Sequence, residues 1–326
     1  MSRSRRSLGW RIGKAVISTA LIGGVLLYLW LHREVFLELR GVEPQSIALV
    51  ASLTLLTHFL NAQEFGLHHR TIGVRLGIFE NWMLFTAGQL GNHLPARLGT
   101  IYRFRYLKLV HRVPYGSITA SYGANLVIST LATGLTGLAG VVLLGGEVSA
   151  GFAIIIFMLG CMTISAIASA WIRLPRFRSD GWVGKAWLSF CSGWEELQKD
   201  RPAAAAVLLL EFIRYATTAW RLQITFSWMG VEEPLAFFLI ISSLSALVTV
   251  IGFTPAGLGL RELAIGSMVT AMGRSFDTGL VASSADRAIS LIVVTCSGLV
   301  GLAVTAHRMK KTKNTDGRIV SAHEDS

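Results

Sequence analysis

Residues 252–262 read GFTPAGLGLRE, with one proline, three glycines and an Arg-Glu pair set into an apolar run. In hydrocarbon a loosened backbone leaves N–H and C=O groups without water, so such a break survives only inside protein or beside a polar cavity. Charges at the same depth are expensive, which makes Arg261 and Glu262 functional candidates. Upstream, Pro95-Ala-Arg-Leu-Gly99 reads against Pro255-Ala-Gly-Leu-Gly259. Paired interruptions in the two halves of a membrane protein point to a transport site, although a five-residue similarity in so Gly- and Leu-rich a chain can also arise by chance.

Working outward, 52% of the 326 residues are hydrophobic and 15% are charged. Several apolar runs reach the roughly 20 residues needed to cross a bilayer, which implies an all-α polytopic membrane protein. The net charge of +11 collects in short segments between those runs. That is the positive-inside pattern and argues against nucleic acid as a partner. Cys161, Cys191 and Cys296 lie far apart, so neither a disulfide framework, a metal site nor a bound cofactor is expected.

Charge placement orders the chain. A basic N-terminus, 1–11, stays in the cytoplasm ahead of an uncleaved span at 12–31. A second span, 46–66, returns to His68, His69, Arg70 and Arg75. Residues 76–112 carry basic residues at both ends and therefore read as a re-entrant hairpin with its tip near Pro95. Residues 115–145 form the next span and close a first half, 12–145.

The second half, 146–306, repeats this plan with spans at 151–172 and 203–229 separated by a cytoplasmic loop, 173–202. A second hairpin at 235–252 and 260–273 follows, and then a last span at 285–306. A polar cytoplasmic tail, 307–326, ends the chain. The sum is six full spans and two re-entrant hairpins in one transmembrane domain, 12–306, arranged as an inverted repeat with both termini cytoplasmic. The alternative is eight or nine full spans, because 235–252 is long enough to cross.

On the 203–229 span Glu211, Arg214, Thr218, Arg221 and Thr225 fall within about 80° of one another at 100° per residue. Thr54, Thr57, His58 and Asn61, with Glu64 at the edge, make a polar face on 46–66. Tyr122, Asn125, Ser129, Thr133 and Thr136 make an uncharged stripe on 115–145, which helix packing alone explains. The first hairpin adds Glu80, Asn81, Gln89, Asn92, His93 and Arg97. Glu211 and Arg214, three residues apart, can neutralise each other. Arg221 and Arg261 are then left as unpaired cations for an anion. Guanidinium groups match phosphate oxygens bidentately, and a helix restarting after Gly257 and Gly259 offers free N–H groups. Glu262 competes for those same groups, so its protonation or pairing is a candidate gate.

At these residues the chain resembles the bacterial membrane family that includes the flippase region of lysylphosphatidylglycerol synthase. The matching features are Asn92-x-x-Pro95-x-Arg97-x-Gly99 with Arg103 downstream, and Pro255-x-Gly257-x-Gly259-x-x-Glu262, over about residues 10–306. Thr100 stands where the family pattern usually has Glu. Too few residues follow the last span for the synthase's soluble aminoacyl-transferase domain, so the resemblance implies lipid translocation without aminoacylation. The substrate would be an anionic phospholipid or polyprenyl-phosphate-linked lipid moved between leaflets of the bacterial inner membrane, at a site built from Asn92, Arg97, Arg103, Glu211, Arg214, Arg221, Arg261 and Glu262. An integral-membrane enzyme acting on lipid phosphates is a second reading, against which no recognised catalytic motif is found. A scaffold that binds envelope-lipid or glycan biosynthesis enzymes is a third.

Overall fold

The computed structural model describes residues 30, 41–93, 98–145, 150–170, 184, 187–188, 191, 195, 199–251 and 260–324. Among them there is no strand, and nine helices follow one another. They are α1 (Pro44–Thr71), α2 (Ile78–Asn92), α3 (Leu98–Val110), α4 (Tyr115–Leu144) and α5 (Ala150–Ala170), then α6 (Arg201–Ser227), α7 (Leu235–Ile251), α8 (Leu260–Ala271) and α9 (Phe276–Glu324). The first expected span, the tips of both hairpins and most of the loop at 173–202 lie outside the described residues.

Local chemistry sets the boundaries. Proline in the first turn of α1 and of α6 pre-sets φ where the N–H would have no helical partner. The Asp200 carboxylate accepts the Ala203 N–H at 3.1 Å and caps α6. Gly145, at φ +59°, ends α4 in the left-handed region that glycine enters without strain.

Among the described residues four helices are long and apolar enough to cross a membrane: α1, α4, α6 and Phe276–Thr312 of α9. Shorter apolar stretches lie in α5 and α7. α2, α3, α7 and α8 have 15, 13, 17 and 12 residues, each below the roughly 20 needed to span. Phe157 and Val142 are 71% and 79% exposed, as lipid-facing side chains on α5 and α4 would be.

α9 differs from the span expected at 285–306. It starts at Phe276, and in its first turns Gly279 packs closely on Gly266 of α8. It also continues as helix through the polar tail to Glu324.

The packing is reciprocal. α9 lies broadly along α2, α4 lies along α7, and α1 and α6 pair with each other. Contacts at Ser46–Trp228, Thr54–Arg221 and Glu64–Arg214 make α1 and α6 antiparallel. Glu80–Arg308 and Leu90–Gly298 do the same for α2 and α9. Both broad contacts use glycine: Gly301 sits on the Met83 carbonyl of α2, and Gly140 sits on the Ala236 carbonyl of α7. In a bilayer, helices associate through such close van der Waals approach rather than through apolar transfer, so small residues mark the contacts.

Candidate functional site

α1 and α6 run side by side and carry charged clusters at two levels. At the first, Arg221 of α6 places Nε 2.6 Å from Asp286 Oδ1 and donates from Nη2 to Oδ2 at 3.2 Å. Its Nη1 donates to the Thr54 hydroxyl of α1 at 3.1 Å. Arg261, in the first turn of α8, donates from Nη1 and Nη2 to Asp286 Oδ2 at 3.3 Å. Asp286 is completely buried, and Arg221 and Arg261 are 6% and 7% exposed. One carboxylate thus holds two guanidinium groups, leaving one positive charge in excess.

The expectation of unpaired cations is therefore corrected: Asp286 partners both Arg221 and Arg261. Asp286 escaped the sequence reading because it stands beside Arg287 at the supposed start of the last span, where a charged pair marks a membrane boundary. Its signal was available as an ionisable residue directly after the small-residue run Ser283-Ser284-Ala285. Glu262 is buried in the first turn of α8, with Oε1 3.9 Å from Arg287 Nε. His93 and His58 interact electrostatically with this region, through Arg287 and Arg221 respectively.

At the second level, Arg214 donates to Glu211 from Nε at 2.9 Å and from Nη2, so the expected neutralisation is present. Ser129 donates to the other oxygen of Glu211, and Thr133 bonds Tyr215. The uncharged stripe of α4 thus joins the polar face of α6, beyond the packing role expected of it. Thr57, Asn61 and Thr218 bond back to their own helices.

The polar residues of α2 and α3 are used differently. The Asn92 carbonyl oxygen accepts the Thr100 N–H at 3.1 Å, and its amide donates to Gln89 at 3.2 Å. It joins the end of α2 to the first turn of α3. Arg103 is 5% exposed in an aromatic cage, its guanidinium carbon 5.0 Å from the Phe65 and Phe85 ring centres and 5.9 Å from that of Tyr122. Among the described residues no hydrogen bond or ion pair joins it to Arg221, Arg261 or Asp286. Glu80 closes the opposite end of α2, accepting from Tyr106 at 2.6 Å and Arg308 at 2.8 Å, with His111 at 3.0 Å. Gly99 packs against Gly91 and Asn92, an approach that a side chain would block. Arg97, Pro95, Pro255, Gly257 and Gly259 lie outside the described residues.

No functionally curated protein and no solved structure matches the chain. The family model for the lysylphosphatidylglycerol synthase TM region matches residues 12–298. With apolar helices able to cross a membrane and a match over most of its length, this chain is a multi-pass membrane protein of the lysylphosphatidylglycerol synthase TM region family.

Proposed function

We propose that this protein is a flippase-like transporter, without enzymatic activity, that carries an anionic phospholipid or polyprenyl-phosphate-linked lipid between leaflets of the bacterial inner membrane. The observation that carries this reading is the sharing of Asp286 by Arg221 and Arg261. Two guanidinium groups against one carboxylate keep enough structure to stay folded and enough positive charge to compensate a phosphate. The cluster joins α6, α8 and α9.

The same reading takes the fold as an inverted repeat of six spans and two re-entrant hairpins. Three features support it: short hairpin arms, the reciprocal packing of α9 on α2 and of α4 on α7, and the antiparallel pairing of α1 with α6. In such transporters the substrate site lies at the repeat interface near the midplane.

The test is reconstitution into vesicles of phosphatidylethanolamine and phosphatidylglycerol carrying a fluorescent phosphatidylglycerol, with a membrane-impermeant quencher reporting exchange between leaflets. The wild type should expose inner-leaflet label. Arg221→Gln and Arg261→Gln should not, and Lys at either position should rescue in part because a point charge loses bidentate geometry. Full transport by both Gln variants would remove the phosphate-site argument.

A further inference from the structure

At the second level of the α1–α6 interface the charges do not balance. Glu64 and Glu211 face a single guanidinium, that of Arg214. Glu211 is fully engaged, with Ser129 on one oxygen and Arg214 on the other. Glu64 is not: its Oε2 lies 4.0 Å from Arg214 Nε and has no hydrogen-bond partner, although the residue is only 1% exposed. The other titratable groups facing the pair are Tyr215 of α6 and, one turn along α1, His68. α4 brings only the neutral Asn125, Ser129 and Thr133, and Asn81 of α2 donates its amide to the Ala62 carbonyl.

Ionised, Glu64 would be a buried carboxylate whose Oε2 has no hydrogen-bond partner, beside a neighbouring anion, a combination that costs far more than the neutral acid. Charge on His68 would not solve this, because its buried Nε2 also has no hydrogen-bond partner.

We propose that Glu64, beside Glu211 and Arg214, is a proton-binding site, loaded in this conformation, whose discharge is coupled to lipid movement at the Arg221–Arg261–Asp286 cluster. The coupling rests on the translocation reading above, whereas the site itself does not. Glu64 and Thr54 on α1, like Glu211 and Arg221 on α6, are ten residues apart, or about 15 Å along a helix. Any tilt or slide of α1 against α6 therefore changes both levels together.

On discharge the Glu64 O–H bond breaks, the proton leaves to solvent water, and the carboxylate takes the Arg214 guanidinium, 4.0 Å away, as its counter-ion. Reloading is the reverse transfer.

Infrared difference spectroscopy on the purified full chain in detergent, with no lipid added, tests the site. At neutral pH the wild type should show a protonated-carboxyl C=O band that Glu64→Gln lacks. Glu211→Gln should lack it too, because Glu64 then has Arg214 to itself and ionises. Gln at 64 mimics the neutral acid and should keep the fold, and Glu211→Gln supplies an independent second variant. A wild type without the band, or a band that survives in Glu64→Gln, would overturn the proposal.

The coupling is tested in the phosphatidylglycerol vesicles under an imposed pH gradient. The wild-type rate should change about fivefold or more, while Glu64→Gln should move label at one rate with or without the gradient. A gradient-insensitive wild type that still moves label overturns the coupling alone. A wild type that keeps the infrared band but moves no label overturns the coupling and the translocation reading together, and leaves the proton site standing.

Discussion

Asp286 Oδ1 lies 2.6 Å from the Nε of Arg221, and the same carboxylate accepts from Arg261, so three helices meet at one buried side chain. Removing one partner of a buried ion pair leaves the other charged and unsolvated, at a cost of about 3–5 kcal/mol. Asp286→Asn should therefore lower the melting temperature more than Arg221→Gln does, because it strands two cations and not one anion that Arg261 still serves. The double variant Asp286→Asn/Arg221→Gln should recover part of the loss, and a melting series in detergent checks the order. Equal melting of Asp286→Asn and wild type would show that the pair contributes nothing.

The glycine contacts make a paired prediction. Leucine at Gly301 would be driven into the Met83 carbonyl, and leucine at Gly140 into the Ala236 carbonyl. Both should destabilise by about 1–3 kcal/mol or more, as overpacking does. Gly160→Ala, with nothing within 4 Å of the added carbon, should be neutral or stabilising by about 0.5–1 kcal/mol. Comparing the three by thermal melting tests whether the two broad helix contacts are equally close.

Asn92 is expected to act as a cap. Asn92→Ala should cost about 1 kcal/mol, while Asn92→Asp, which can accept the same Thr100 N–H, should retain most of the stability. A stability loss in Asn92→Asp as large as in Asn92→Ala would mean that the amide donated to Gln89 matters more than the accepting oxygen.

Orientation can be read with single cysteines placed at Arg70 and Ser275, both exposed, in a background without Cys161, Cys191 and Cys296. A membrane-impermeant thiol reagent added to intact cells should label position 275 and not position 70. The reverse pattern would invert the topology drawn from the basic residues.

Glu262→Gln separates a gate from a cap. If the carboxylate only neutralises Arg287 and supports the first turn of α8, the variant should melt lower and transport normally. As a gate, Glu262→Gln should bind phosphatidylglycerol normally or more tightly, yet move it slowly. Affinity, rate and melting temperature measured on this one variant decide between them.

The amino-acid sequence alone determined where most of the described helices lie, because apolar runs, prolines and basic turns are local signals read residue by residue. α4 was expected at 115–145 and runs Tyr115–Leu144; α8 was expected at 260–273 and runs Leu260–Ala271. It also marked Glu211, Arg214, Arg221, Arg261 and Glu262 as costly at membrane depth, since that cost depends only on residue type and an apolar neighbourhood. Partners were decided by tertiary structure. Asp286 is 65 residues from Arg221 and 25 from Arg261, and Glu64 is distant from Arg214 in sequence, so no helical spacing links them. Whether a buried charge is neutralised depends on which other helix face packs against it. That packing alone turned two apparently free arginines into a shared pair and left Glu64 Oε2 without a hydrogen-bond partner.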